Sequence, residues 1–298
     1  MIKKLYFIAC LSISALSCEN KSENFKVDFL TDNIPEGTPI EFQTYNIPND
    51  FIIHKGIFSP SLDEYYYTIS DRQFEQFDVY VQRKQNGQWS EPEKAFFNSE
   101  YSEHGMSFAP NGNTLYFSST RPTKVKGIPE TWHIWRSSKV NGKWSTPEFI
   151  NIPNLANKLV SHPTISNSGT MYFHASNLDY SDMDIYLSKN TDGVFEPAQK
   201  ASIIADTPSG KCTPYVSPSE DYLIFASIGE DLDLMITFKD GSGKWTNTKK
   251  LNENINTKGQ GNPYVTPDDK FLFFTVIDDR DDSWKIKWVN IESELENN

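Results

Sequence analysis

Histidine, lysine and hydroxyl side chains recur at one place in this chain, and that recurrence is the first pointer to chemistry. Three of the five histidines, His54, His104 and His162, stand five or six residues before a repeated Pro or Asn: Pro60, Pro110, Asn167, Pro218 and Pro267. The same two offsets hold Lys55, Gly105, Ser161, Cys212, Thr213, Gly261 and Asn262. Histidine can bind metal, move protons or hydrogen-bond a ligand near neutral pH. Polar groups repeated at one offset predict a ring around a shared axis, with His54, Lys55, His104, Ser161, His162, Thr213 and Asn262 as the ligand-binding candidates. A water-filled channel lined by the same groups is the competing reading. No catalytic residue, metal ligand or cofactor is assigned, because spacing alone does not bring three histidines within ligand distance. A glycosidase needs two inward carboxylates. The ring positions hold none, with Glu103 nearest, so a hydrolase acting at this His-rich mouth is kept only as the alternative. No Gly-x-Ser-x-Gly elbow is present.

The elements that must position these groups repeat about every fifty residues. Each repeat has a short run before the Pro or Asn, a polar turn, and then an aromatic and β-branched run such as Tyr65-Tyr66-Tyr67, Leu115-Tyr116-Phe117 or Phe271-Leu272-Phe273. An alternating strand follows (Phe77-Asp78-Val79-Tyr80, Trp132-His133-Ile134-Trp135, Met183-Asp184-Ile185-Tyr186, Leu232-Asp233-Leu234-Met235, Trp284-Lys285-Ile286-Lys287), then a Gly-x-aromatic turn that opens a fourth strand at Trp89, Trp144, Phe195 and Trp245. Such runs and alternations read as strands, and a period of this size means stacked units that bury their cores against neighbours. The expected fold is all-β: a five-bladed β-propeller of four-stranded antiparallel blades. The fifth repeat lacks its fourth strand. The N-terminal segment Thr38-Pro39-Ile40-Glu41-Phe42 falls where that strand is missing, so it is expected to close the ring on the C-terminal blade and leave no open sheet edge.

Other acidic and basic residues are weighed against this frame. Asp78, Asp184 and Asp233 recur in the third strand, and Arg72, Arg121 and Arg280 after the second. Recurrence favours a structural bond, for the aspartates to a loop, over a unique active site. Asp278, Asp279, Asp281 and Asp282 lack calcium-loop spacing and read as a solvated loop. Trp89, Trp144 and Trp245 read as blade packing. Cys212 reads as a small buried hydrophobe.

The net charge of −12 argues against nucleic acid or an anionic membrane surface as partner. Lys3 and Lys4 precede a short apolar stretch, Leu5 to Leu16, that is too brief to span a bilayer and runs into Cys18. This start resembles a bacterial lipoprotein signal. It implies a signal segment over 1–17, lipidation at Cys18, a tether over 18–34 and the propeller over 35–298. The only membrane contact would then be the lipid anchor. The turn-and-strand motif Ser-Pro-Ser-Glu-Asp-Tyr-Leu-Ile-Phe-Ala-Ser at Ser217, with the Asp-Ile-Tyr-like strand after it, resembles the repeat of the TolB-like, WD40-like propellers (the PD40 repeat). With the signal, the chain is similar to exported propeller lipoproteins of Bacteroidetes type. The repeat count gives five blades where TolB has six, a departure from the TolB pattern; the expected role is a monomeric binding module in the cell envelope that meets a protein partner or a small polar ligand at the channel mouth.

Overall fold

The computed structural model describes residues 33–42, 50–205, 210–278 and 283–296. The expected signal segment, with Cys10 and Cys18, lies outside the described residues, as do Asp279, Arg280, Asp281 and Asp282. Five antiparallel sheets follow one another along the chain. Their inner strands are Phe51–Phe58, Glu103–Phe108, Leu159–Ile165, Lys211–Val216 and Gly261–Val265. Each pairs with a second strand (Glu64–Asp71, Thr114–Ser119, Met171–Ser176, Tyr222–Ile228, Phe271–Asp278), and that with a third (Phe77–Gln85, His133–Val140, Asp184–Ser188, Leu232–Phe238, Ser283–Asn290). The only described helix is the short C-terminal Glu292–Glu296.

The turn after each inner strand is dictated locally. The second residue past the repeated Pro or Asn takes a positive φ in all five blades: Leu62 at 57°, Gly112 at 69°, Gly169 at 82°, Glu220 at 62° and Asp269 at 57°. Hydroxyls at the residue before the Pro close the turn. Ser217 Oγ accepts from the Asp221 and Tyr222 amides, and Thr266 Oγ1 accepts from the Phe271 amide. This is the local side-chain bonding that Ser and Thr supply in turns. The fourth strands are broken. The Gly-x-aromatic hairpin only prolongs the third strand, as at Gln88–Trp89 and Lys143–Trp144, and a second short piece such as Glu93–Lys94 or Gln199–Lys200 completes the sheet.

Closure occurs where the sequence places it. Ile40–Glu41 pairs antiparallel with Ser283–Asn290, Ile40 opposite Trp288 and Glu41 opposite Lys287, and the Phe42 amide donates to the Ile286 carbonyl at 2.8 Å. The Phe42 ring is buried edge-on against Phe273 at 5.0 Å, Tyr65 at 5.3 Å and Trp288 at 5.6 Å. It thus ties the last blade to the first.

An ion pair repeats across the third and fourth strands: Asp78 with Lys94, Asp184 with Lys200, Asp233 with Lys250, at 2.8–3.0 Å. The recurring aspartates are therefore structural, but their partner is a strand lysine and not a loop. In the closing blade the signs are exchanged, Lys285 on the third strand facing Glu41 on the fourth at 3.4 Å.

Trp144 stacks on Phe96 of the preceding blade with centroids 5.1 Å apart, and Trp245 meets Tyr172 of the third blade edge-on. These tryptophans join neighbouring blades, beyond the blade-surface packing the sequence suggests. Cys212 is buried, and burial raises its thiol pKa to about 11, which leaves it an unreactive packing group.

Candidate functional site at the channel mouth

A β-bulge interrupts every inner strand at the offset where the polar residues recur: between Ile53 and Gly56, His104 and Ser107, Ser161 and Thr164, Cys212 and Tyr215, and Gly261 and Tyr264. A bulge re-aims the side chains it carries. It also explains how Pro163, Pro214 and Pro263 sit inside innermost strands, since a bulge does not need their missing amide. In four blades the residue at the bulge is left-handed: Gly105 (φ 57°), His162 (55°), Thr213 (45°) and Asn262 (54°). This conformation is uncommon for non-glycine residues and a genuine outlier for β-branched Thr. At Gly105 glycine is required twice over, because a Cβ there would also lie 3.1 Å from the His162 ring.

The bulges bring the expected ring together. Ser161 Oγ is 3.1 Å from His104 Nε2, 3.0 Å from His162 Nδ1 and 2.9 Å from Ser118 Oγ, to which it donates. The His104 and His162 rings are 4.5 Å apart. The Asn262 amide donates to Thr213 Oγ1, and the Thr213 amide donates to Nδ1 of His174. His54 stands further round, with Nε2 2.8 Å from Ser70 Oγ, linked to His104 through the Phe77 ring that lies 5.2 Å from one and 5.3 Å from the other. Lys55 lies deeper, with its side chain lining the far half of the channel. The cluster therefore comprises His54, His104, Ser161, His162, Thr213 and Asn262, with Lys55 next to it, near enough for its charge to act on the histidines while it also lines the adjoining cavity.

Two groups of residues were not singled out by sequence reasoning. His174 comes from a second strand, opposite Ser161 in register, and its ring stacks on His162 at 4.8 Å. An aromatic rim surrounds His54 and His104. Trp132 lies 3.9 Å from His104, Trp284 lies 5.5 Å from His54, and the Phe77 ring packs against Trp132, His54 and His104. Phe74, 46% exposed and left-handed at φ 59°, leans on Phe77 and Trp284. Phe77, Trp132 and Trp284 open the third strands of three adjacent blades. That common position was the available signal.

Burial sets the electrostatics. It lowers the pKa of His54 to about 4 and of His174 to about 3, the Lys55 charge adding to the latter. Burial also lowers His104 and His162 well below the ordinary range, reinforced by the neighbouring histidines and Lys55, while Asn262 beside His162 opposes the shift only weakly. At neutral pH all four rings are uncharged, and each offers one donor and one acceptor. Asn262 Oδ1 is buried beside the His162 ring and meets no donor in full hydrogen-bond geometry.

Glu103 does not enter the mouth. It is fully buried and accepts from Arg121 at 2.7 Å, Ser99 Oγ at 2.7 Å and Ser119 Oγ at 2.9 Å. Arg121 in turn donates to the Phe97 carbonyl and covers the Phe117 and Trp135 rings. This arginine is structural, as its recurrence implied. No described carboxylate hydrogen-bonds any of the four channel histidines, and among the described residues no group of three His, Cys, Asp or Glu side chains is placed to hold a metal ion.

No protein-family model matches the chain, and no curated protein matches it. Among solved structures it is similar to BT0996 in its RGII complex, with a TM-score of 0.56 at 8% identity over 86% of this protein and 92% of that one. It is similar to a glycoside hydrolase at 0.55 and 9% over the same shares. TolB from Acinetobacter baumannii aligns at 0.49 and 11% identity over 79% of this protein, which spans 54% of TolB. At such identities the likeness concerns the fold alone. With the five sheets and the N-terminal closing strand, the chain is a five-bladed β-propeller.

Proposed function

We propose that this chain is a binding module whose channel mouth takes a small polar ligand of carbohydrate type, with ring faces that stack and hydroxyls that hydrogen-bond. The observation that carries the reading is the coincidence of an aromatic rim with a neutral polar floor. Phe74, Phe77, Trp132 and Trp284 present ring surface around His54 and His104, and the buried Asn262 Oδ1 meets no donor in full hydrogen-bond geometry. Ligand pockets combine apolar or aromatic walls with a few convergent polar groups in this way. Uncharged imidazoles suit hydroxyl recognition, each keeping one ring nitrogen beyond its bond to Ser70, Ser161 or the Thr213 amide that can donate to or accept from a ligand hydroxyl. The strained backbone at Phe74 and Thr213 fits a site held by its surroundings. We place the module in the bacterial envelope as a lipid-anchored monomer, on the strength of the N-terminal lysines, apolar stretch and Cys18.

A glycosidase at the same mouth is the second reading, since the fold is shared with a glycoside hydrolase. It needs two carboxylates across the bound sugar, and Glu103, the sequence's nearest acid, is committed to Arg121.

The test is a thermal-shift screen of the purified protein against mono- and oligosaccharides, with short peptides as the contrasting class. A ligand that binds only the folded state stabilises by about 2.7 kcal/mol at a hundredfold excess over Kd. The expected result is a concentration-dependent rise with saccharides that Trp132→Ala abolishes. A rise that persists in Trp132→Ala, or one confined to peptides, would contradict the reading. Release of reducing sugar from a bound oligosaccharide would move the assignment to hydrolase.

A further inference from the structure

A cavity of different chemistry adjoins the histidine cluster and occupies the far half of the channel. The C-terminal halves of the inner strands and the Pro turns enclose about 250 Å³, walled largely by apolar groups such as Ile57, Phe58, Met106, Tyr215 and Tyr264. Lys55 is the one charged residue in its lining. It is only 3% exposed, and no described group accepts a hydrogen bond or forms an ion pair with its Nζ. A buried ammonium without a counter-ion is costly, and a Met or Leu would fill the same space without that cost. The four residues at the matching offset of the other blades, Gly105, His162, Thr213 and Asn262, carry no charge to balance it. The cavity thus has an unmet electrostatic demand for one negative charge at one point, set in apolar surroundings.

We propose that this cavity binds a small organic monocarboxylate with an apolar body, its carboxylate paired with Lys55 Nζ and its body lying on the aromatic and aliphatic wall. A single ammonium matches a single negative charge. A phosphate dianion would bring a second charge that no arginine, second lysine or helix N-terminus in the lining answers. Burial lowers the Lys55 pKa to about 8, so the group is cationic at neutral pH and loses its charge just above it. The titratable groups facing it are the histidines His104, His162 and His174 on the mouth side, adjacent His54, and Tyr215 and Tyr264 in the cavity wall. Burial holds the histidines low and the tyrosines high, so all stay neutral from pH 7 to 9 and leave Lys55 as the only group to titrate there.

The test uses benzoate and hexanoate as probes, with benzyl alcohol and hexanol as their uncharged counterparts, in calorimetric titration and thermal shift of the whole protein. Both carboxylates are expected to bind and the alcohols not to. Carboxylate affinity should fall about tenfold per pH unit above about 8, as Nζ deprotonates. Lys55→Met should abolish binding while melting no lower than the parent, because it removes an unpaired buried charge. The alcohols and the pH series need no variant, so they decide the question even if Lys55→Met fails to fold. Equal binding of acids and alcohols, pH-independent affinity, undiminished binding in Lys55→Met, or no binding of either carboxylate would overturn the proposal.

Discussion

Lowering the pH from 7 to about 5 should unfold this protein far more readily than its acidic composition suggests, and the channel histidines are the reason. The folded pKa of His54 is about 4 and that of His174 about 3, against an ordinary 6.5, both because burial disfavours the imidazolium. His104 and His162 are lowered too, by burial first and then by neighbouring positive groups, and His133 by burial. A depressed folded pKa means the unfolded chain takes up the proton first as pH falls. The stability is therefore complete above about pH 6.5 and is lost on the way down toward the folded values. Each such group costs about 1.4 kcal/mol per pH unit, hence about 2 kcal/mol between pH 6.5 and 5. His54 and His174 together remove about 4 kcal/mol, and His104 and His162 act in the same direction. Against a typical total of about 5–15 kcal/mol this is a large fraction. Glu220 does not confuse the window. Burial would raise its pKa, but hydrogen bonds from Lys239, Ser166, Ser168 and Tyr172 hold it near 2, so it stays ionised in both states. The assay is urea unfolding followed by tryptophan fluorescence at about pH 7, 6 and 5, with His174→Gln beside the parent. The free energy should fall steeply with pH, and the variant's slope should be shallower by about one proton, roughly 1.4 kcal/mol per pH unit. A stability that is flat across this range, or a slope unchanged in His174→Gln, would refute the claim that the mouth histidines are neutral in the fold.

Three further outcomes follow from the fold. Phe42→Ala should cost about 3–5 kcal/mol, because the ring is buried among Tyr65, Phe273 and Trp288 at the seam; chemical denaturation measures it, and a loss under about 1 kcal/mol would mean the N-terminal strand does not close the ring. Glu103→Ala should cost about 3–5 kcal/mol by leaving Arg121 buried without its carboxylate, read as a drop in melting temperature. Glu41→Lys should destabilise by about 0.2–1 kcal/mol, and adding Lys285→Glu should restore most of it; a double-mutant cycle with no coupling would show that the exchanged pair does not contribute to closure.

The repeat was readable because its punctuation is local. A Ser, Thr or Ala, then Pro or Asn, then a left-handed residue two places on, dictates a turn whatever surrounds it. The same regularity exposed the missing fourth strand and so the closing role of Ile40–Glu41. The mouth was readable only in part, since a sequence offset gives the strand a residue belongs to but not how a bulge turns it. The bulges gather His104, Ser161 and His162 but leave Lys55 lining the opposite half. His174 was hidden because it reaches the site from the adjacent strand, and only the register that sets it opposite Ser161 reveals it. Trp132, Phe77 and Trp284 looked like ordinary strand openings. Their convergence is a property of the ring, not of any one repeat. Glu103 sits beside His104 in sequence, yet strand alternation sends it to the other side of the sheet, toward Arg121.

The most direct measurement is a crystal structure of the protein soaked with the saccharide that gives the largest thermal shift. Ligand density is expected at the channel mouth, stacked on Trp132 or Trp284 and within hydrogen-bond distance of His104 or Asn262. Density on an outer blade surface with an empty mouth would contradict the assignment of the mouth as a saccharide site.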